Sequence, residues 1–373
     1  MEQTKEKTVT SKSNNQAQLM KGNEALAEAA IRADIDAYFG YPITPQSEIL
    51  EYFTAEMPKR HGIVLQAESE LAAINMIYGA AGAGGRVMTS SSSPGISLMQ
   101  EGISYIASAQ LPCLIVNVNR GGPGLGTIQP SQGDYFQATK GGGHGDYHLI
   151  VLAPASVQEM ADFVFDAFRL AEKYRCPAMI LADGALGQMM EKVVLPEEGS
   201  LPKTEKPWAT VGKPATRERN IITSLFIDPE KMEGINKQLQ GKYKLIEDEV
   251  RFEEIALDDA EIALVAFGLS ARVCQKAVDI SREKGFRVGL LRPITLYPFP
   301  KQAISNLADK VNFFLVVEMN AGQMVEDVEL SVKGKRPVYF TGRMGGMIPT
   351  PEDVAAEIER LIHSLSETEV KEG

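Results

Sequence analysis

Residues 63–91 read IVLQAESELAAINMIYGAAGAGGRVMTSS, and their pattern decides the fold class. Ile63-Val64-Leu65 is a short continuous apolar run, the mark of a strand buried on both faces. Ala67 to Ala83 then follows helical spacing, with Glu70, Ile74, Ile77 and Ala81 on one face. Val87 to Ser91 returns to strand character. A strand, a helix and a second strand in this order form a crossover unit, which pairs its strands in parallel.

Working outward, the alternation continues. Ala37-Tyr38-Phe39 is a short apolar run upstream, Ile96 to Ala107 reads as helix, Cys113 to Val118 as strand, Val157 to Ala171 as helix, and Ala178 to Leu181 as strand. The first domain is therefore expected to be α/β, a doubly wound parallel sheet covered by helices on both faces, over residues 18–190. Residues 191–255 are rich in Pro, Lys and Glu, contain the only tryptophan, Trp208, and read as a long interdomain connection. Alternation resumes at Ile262 to Phe267 (strand), Ser270 to Lys284 (helix), Phe286 to Arg292 (strand), Lys301 to Asp309 (helix) and Phe313 to Val317 (strand). Pro337 to Thr341 and a helix from Pro351 to Leu365 complete a second, smaller α/β domain over 256–373.

A chain of 373 residues with 44% apolar residues exceeds what one ordinary core organises, in agreement with two domains. Its net charge of -11 argues against a nucleic-acid or anionic-membrane surface. Residues 1–17 are polar, without an apolar segment that would serve as signal or anchor, so a flexible tail on a soluble cytoplasmic protein is expected. Cys113, Cys176 and Cys274 lie far apart in apolar surroundings and read as buried small hydrophobes. An iron-sulfur cluster takes about four thiolates, so any cluster belongs to a partner.

Several residues could carry chemistry. Glu68 and Glu70 stand in the first turn of a helix, where acids complement the helix dipole. Glu70, on an apolar stripe, could instead be a desolvated carboxyl used for proton transfer or for holding a cofactor nitrogen. Gly40-Tyr41-Pro42-Ile43-Thr44-Pro45 follows an expected strand end, where ligands bind in such sheets. Thr44 there either offers its hydroxyl to a ligand or caps a helix beginning at Pro45. Asn119-Arg120-Gly121-Gly122-Pro123-Gly124-Leu125-Gly126 is a glycine-rich loop whose arginine could clamp a carboxylate or stand in solvent. Its spacing does not match a dinucleotide fingerprint. His144, among glycines, is a polar pocket candidate or a solvated loop histidine. No His spacing supports a metal site.

Taken in order, Tyr41-Pro42-Ile43-Thr44-Pro45, Glu68-Ser69-Glu70, Ser92-Ser93-Pro94-Gly95 and Arg120-Gly121-Gly122-Pro123 resemble the alpha subunit of 2-oxoacid:ferredoxin oxidoreductases. Leu291 to Pro298 and Val317-Glu318-Met319-Asn320 resemble that family's domain of transketolase C-terminal type. The resemblance implies that the first domain is the pyrimidine-binding half of a thiamine diphosphate site. Glu70 matches the glutamate that hydrogen-bonds the aminopyrimidine, with Glu68 the fallback, and Ser93, Pro94 and Gly95 lie along the cofactor. Thr44 and Arg120 fall where relatives contact the oxoacid.

The G-D-G and Asn motif that holds magnesium and diphosphate is missing, since Asp183-Gly184 lacks the preceding glycine. A beta-type partner is thus implied for diphosphate and Mg2+, and gamma and ferredoxin-like delta subunits for the 4Fe-4S clusters, with ferredoxin and coenzyme A as co-substrates. Many relatives continue Arg-Gly-Gly-Pro with Ser-Thr; here Gly124-Leu125 follows, which favours an apolar substrate tail. Together with Ile128 to Asp134 this resembles the branched-chain type acting on 3-methyl-2-oxobutanoate. 2-Oxoglutarate is the alternative substrate, and a non-catalytic scaffold subunit the alternative of a different class.

Overall fold

The structure, a computed structural model, describes residues 16–372, with side chains as far as Leu365. The tail expected over 1–17 lies, apart from Gln16 and Ala17, outside the described residues. A seven-stranded sheet runs in the order Thr295–Tyr297, Ile150–Leu152, Ala178–Asp183, Leu114–Asn119, Val87–Ser91, Ala37–Gly40, Ile63–Gln66. All neighbours are parallel except the first pair, where Thr295–Tyr297 lies antiparallel to Ile150–Leu152. The second half of the chain thus lends an edge strand to the first sheet.

The quoted stretch forms the strand, helix and strand its pattern predicts, but Ile63–Gln66 is an edge strand and is largely exposed, Ile63 at 58% and Leu65 at 42%, not buried on both faces. Ser69 is the N-cap of the Glu70–Gly82 helix, its Oγ accepting from the Ala72 N–H at 3.2 Å. Glu70, Ile74, Ile77 and Ala81 are all buried, so the stripe faces the core. Gly84, at φ +89, makes the left-handed turn that returns the chain to the Val87–Ser91 strand, and that strand is buried along its length. On the opposite face of the sheet Val157–Tyr174, capped by Ser156, packs against Gly22–Arg32.

A second sheet runs in the order Val338–Gly342, Phe313–Glu318, Ile262–Val265, Val288–Pro293, Phe252–Ile255, parallel but for the last strand. Strands were added to both sides of Ile262–Val265, so the crevice between it and Phe313–Glu318 is a topological switch point.

Residues 191–255 hold more order than a connection. Met190–Val193 pairs with Gln18–Lys21, and Pro229–Ile246 is an 18-residue helix. Asp228 caps that helix, Pro229 opens it, and it buries Leu239, Tyr243 and Ile246 on one face. Cys113, Cys176 and Cys274 are buried and free. Burial pushes the Cys176 thiol up to about 12, so it stays protonated. Among the described residues no helix is long and apolar enough to cross a membrane.

Candidate functional site

Three adjacent parallel strands, Ala37–Gly40, Val87–Ser91 and Leu114–Asn119, end side by side, and the loops leaving them carry most of the residues singled out above. The Tyr41 to Gln46 loop is held from below. The Tyr38 hydroxyl lies 2.6 Å from Ser90 Oγ, Ser90 donates to Gln46 Oε1 at 2.6 Å, and Gln46 Nε2 donates to the Tyr41 carbonyl. Gly40 is required here, because a Cβ would stand 2.4 Å from the Tyr38 hydroxyl. From the side, Asn23 Nδ2 and Gln188 Nε2 both donate to the Pro45 carbonyl. The following helix begins at Ser47, so Thr44 caps nothing and stays in the loop.

Of the two glutamates, Glu68 is exposed and Glu70 is only 5% accessible. The Glu70 carboxyl enters no hydrogen bond or ion pair among the described residues. It faces Gly95, where a Cβ would come within 2.5 Å of Glu70 Oε1 and 2.0 Å of Ser91 Oγ. The Ser91 and Ser92 hydroxyls beside it are buried and also unpartnered. A buried acceptor and two unpartnered hydroxyls, packed together against a glycine, leave hydrogen-bonding capacity that a nitrogen-bearing ligand would satisfy.

Ser93, Pro94 and Gly95 form the first turn of the 16-residue Ser93–Ser108 helix. Ser93 ties this turn to the next strand end: its N–H donates to Asn117 Oδ1 at 3.2 Å, and its Oγ accepts from the Arg120 N–H at 3.0 Å. Asn117 in turn donates to Asp134 Oδ2 at 2.8 Å, and burial pushes the Asp134 carboxyl above its usual range. The Arg120 guanidinium bridges two loops. Nη1 donates to the Thr44 carbonyl and Nη2 to the Leu125 carbonyl, both at 2.9 Å. Each Nη carries a second N–H that these bonds do not use, and Nε is buried without a partner. Thr44, Arg120 and Leu125 are thereby brought together, with the Leu125 side chain 83% exposed at the rim.

His144 is not part of this group. It shares a small cavity with Ser104, Tyr105 and Ser108, at the opposite end of the Ser93–Ser108 helix from Gly95. Ser104 to Ser108 stand roughly 14–20 Å along the helix from Gly95, which sets the His144 imidazole apart from the Gly95 end. The sequence reading gave no role to Ser91, Asn117, Asn119 or Gln132, although Asn119 and Gln132 stand in the loop runs it quotes. The serine run was visible, but nothing in it marks which hydroxyls stay unpaired.

Comparison with known proteins supplies two family matches. Residues 28–257 match a model described as pyruvate flavodoxin/ferredoxin oxidoreductase, thiamine diphosphate-binding, and residues 260–354 match pyruvate:ferredoxin oxidoreductase core domain II. The ketoisovalerate oxidoreductase subunit VorB of Methanothermobacter thermautotrophicus is 52% identical over 351 residues, covering 94% of this chain and 99% of the relative. The 2-oxoglutarate synthase subunit KorA of Methanocaldococcus jannaschii is 38% identical, covering 92% of this chain and 99% of the relative. Among solved structures, the 2-oxoglutarate:ferredoxin oxidoreductase of Magnetococcus marinus, with 2-oxoglutarate, coenzyme A and succinyl-CoA bound, superposes with a TM-score of 0.83 at 26% identity. That match covers 92% of this chain and 65% of the other.

Proposed function

Because the chain belongs to the 2-oxoacid:ferredoxin oxidoreductase family as an alpha-type subunit, we propose that it supplies the pyrimidine-binding half-site for thiamine diphosphate and the contacts that seat a branched-chain 2-oxoacid. The observation that carries this reading is the buried Glu70 carboxyl, without a partner among the described residues, packed against Gly95. When bound, thiamine diphosphate supplies the carbon nucleophile and the electron sink that decarboxylation of a 2-oxoacid requires.

Glu70 would hold the aminopyrimidine through a hydrogen bond, and its low exposure would keep water from competing for that bond. Gly95 lets Glu70 and Ser91 pack closely against the first turn of Ser93–Ser108, and the unpartnered Ser91 and Ser92 hydroxyls would stand beside the ring. Arg120 presents its unused N–H groups to the substrate carboxylate, in a fork matched to two oxygens. Thr44, held beside it, borders the same space. Leu125 and Ile128, both exposed on the loop, face the substrate's tail, and an isobutyl group there favours an apolar one.

The relatives are named as subunits, and the half-site here ends at Glu70 and Gly95, so diphosphate, Mg2+ and the 4Fe-4S clusters fall to partner subunits. A beta-type subunit completes the cofactor site, and gamma and delta subunits carry electrons to ferredoxin. Coenzyme A takes the acyl group. The other substrate reading, 2-oxoglutarate, is favoured by the relatives of that name and demands a second carboxylate contact that Leu125 does not offer.

The test is coenzyme A-dependent reduction of a viologen dye by the complex co-expressed with its partners, on a series of 2-oxoacids. Activity highest with 3-methyl-2-oxobutanoate, and abolished by Glu70→Gln, is the expected result. Full activity of Glu70→Gln in an intact complex overturns the site and revives a scaffold role. Highest activity with 2-oxoglutarate overturns the substrate.

A further inference from the structure

The loop bearing Arg120 closes on itself. Gly121 N–H donates to the Gln129 carbonyl at 2.9 Å, Thr127 N–H to the Gly121 carbonyl at 2.8 Å, and Arg120 bridges Pro130. Residues 129–132 are therefore one support of the Arg120 loop, beside the bonds from Arg120 to Ser93 and Thr44. What fixes residues 129–132 is the second sheet.

Gln132 leaves the first domain and enters the switch-point crevice of the second, where it is 3% exposed. Its Nε2 donates to the Phe267 carbonyl at 2.8 Å, beyond the end of the Ile262–Val265 strand. Its Oε1 accepts from Ser270 Oγ at 2.7 Å and from the Met319 N–H at 3.0 Å, the latter beyond the end of Phe313–Glu318. The Gln132 backbone adds two bonds, its N–H to the Met319 carbonyl and its carbonyl from Asn320 Nδ2. Ser131 Oγ donates to the same Met319 carbonyl. Gly268, at φ +53 and close beside the Gln132 amide, leaves it room.

A switch-point crevice is where an open α/β sheet ordinarily takes a ligand. Here that place is filled by the chain itself. The other attraction such a crevice offers, the free N–H groups of the next helix, is also taken, because Glu318 accepts from the N–H groups of Gln323, Met324 and Val325. What remains is a cavity of about 380 Å³ bounded by Pro123, Asp134, Asn320 and Met344, lying between the crevice and the Arg120 loop.

We propose that Gln132 is a positioning residue: seated in the crevice of the second domain, it holds the Arg120 loop in place and thereby sets affinity for the 2-oxoacid. The inference rests on the reading of Arg120 as the carboxylate contact. It assigns the second domain a role in substrate binding without contact with substrate.

Three variants in the assembled complex test it. Gln132→Leu removes all three side-chain bonds and is expected to raise KM for the 2-oxoacid roughly tenfold, while kcat and KM for coenzyme A stay within about twofold. Gln132→Glu keeps the acceptor but sets a carboxylate against the Phe267 carbonyl. Protonation restores a donor there, so its KM defect is expected to shrink as pH falls, by more than any change in wild type. Ser270→Ala removes one bond only, keeps the chain folded, and is expected to raise the same KM by a smaller factor. Arg120→Ala, measured alongside, separates the failures. If Arg120→Ala leaves KM unchanged, the reading of Arg120 falls and this inference with it. If Arg120→Ala raises KM and the Gln132 and Ser270 variants do not, or if those variants lower kcat and both affinities in proportion to lost complex, the positioning role is overturned.

Discussion

The strand ends of the two sheets make an instructive pair. Both are carboxyl ends of parallel strands, both are buried, and both are rich in polar side chains. At the switch point of the second sheet the hydrogen bonds close, although Arg292 Nε, at the end of Val288–Pro293, is buried with no hydrogen bond and only an ion pair to Glu253 at 3.4 Å. Glu318 accepts from three backbone N–H groups and from Asn320, and Gln132 meets Phe267, Ser270 and Met319. At the first sheet they do not. Ser91 Oγ, Ser92 Oγ, Asn119 Nδ2 and Arg120 Nε are buried without partners, and Glu70 has none. Leaving a buried polar group unmatched costs about 1–3 kcal/mol, so a cluster of them persists where something outside the chain completes the bonding. The same fold element is closed at the switch point of one sheet and open at the strand ends of the other.

The sharpest way to break this comparison is Glu70→Gln. It keeps size and burial but withdraws the charge, and turnover of the assembled complex is expected to fall by about 10²–10⁴-fold, with little change in thermal stability. Glu68→Gln, on an exposed neighbour, is expected to leave turnover near wild type. Next in size is Gly95→Ala. The new methyl would meet Ser91 Oγ at 2.0 Å and Glu70 Oε1 at 2.5 Å, forcing both groups out of place. Thiamine diphosphate titration of the complex is expected to show affinity weakened by at least roughly tenfold, alongside about 1–3 kcal/mol of lost stability.

Glu318→Ala probes the closed site. It strands the N–H groups of Gln323, Met324 and Val325, so denaturant melts should show a loss of about 2–4 kcal/mol. Turnover per folded complex is expected to fall far less than with Glu70→Gln. If the two variants reversed, with Glu318→Ala silent in stability and Glu70→Gln strongly destabilising, open and closed would be the wrong description of these two regions.

How much of this the sequence discloses follows from range. The Glu70 stripe and the Val87–Ser91 strand are local patterns with a strong period, and both were legible. The open site was legible in part, because Glu70, Gly95 and Arg120 sit in short motifs at strand ends. The Pro229–Ile246 helix was hidden by its surface, since only Leu239, Tyr243 and Ile246 are buried among lysines and glutamates. Ile150–Leu152 is three residues long, and its neighbour Thr295–Tyr297 arrives from the other half of the chain. Gln132 stands in the Ile128 to Asp134 run, but nothing local marks its structural role, because an amide in a loop acquires its partners only when strand ends more than a hundred residues away come to meet it. Closed polar sites are built from such long-range bonds, which is why they were less legible than the open one.

The smallest expected effect tests whether closure is complete at the first sheet's own structural edge. Asp183 ends the Ala178–Asp183 strand, is buried, and its Oδ1 caps the next helix by accepting from the N–H groups of Ala185 and Leu186. Burial nevertheless pushes its pKa up to about 6, so the folded chain holds the proton more tightly than the unfolded one. A raised folded pKa makes Asp183 stabilising in its protonated form: that contribution is whole below the unfolded value near 4 and is lost as pH rises through about 6. Asp183→Asn keeps the capping oxygen and carries no charge. It is expected to raise the unfolding midpoint at neutral pH, by no more than about 3 kcal/mol in stability, with the gain fading as pH falls below about 4. A variant that is destabilised at neutral pH would mean that the ionised carboxylate is fully compensated by its two N–H donors, and that this strand end is as closed as Glu318.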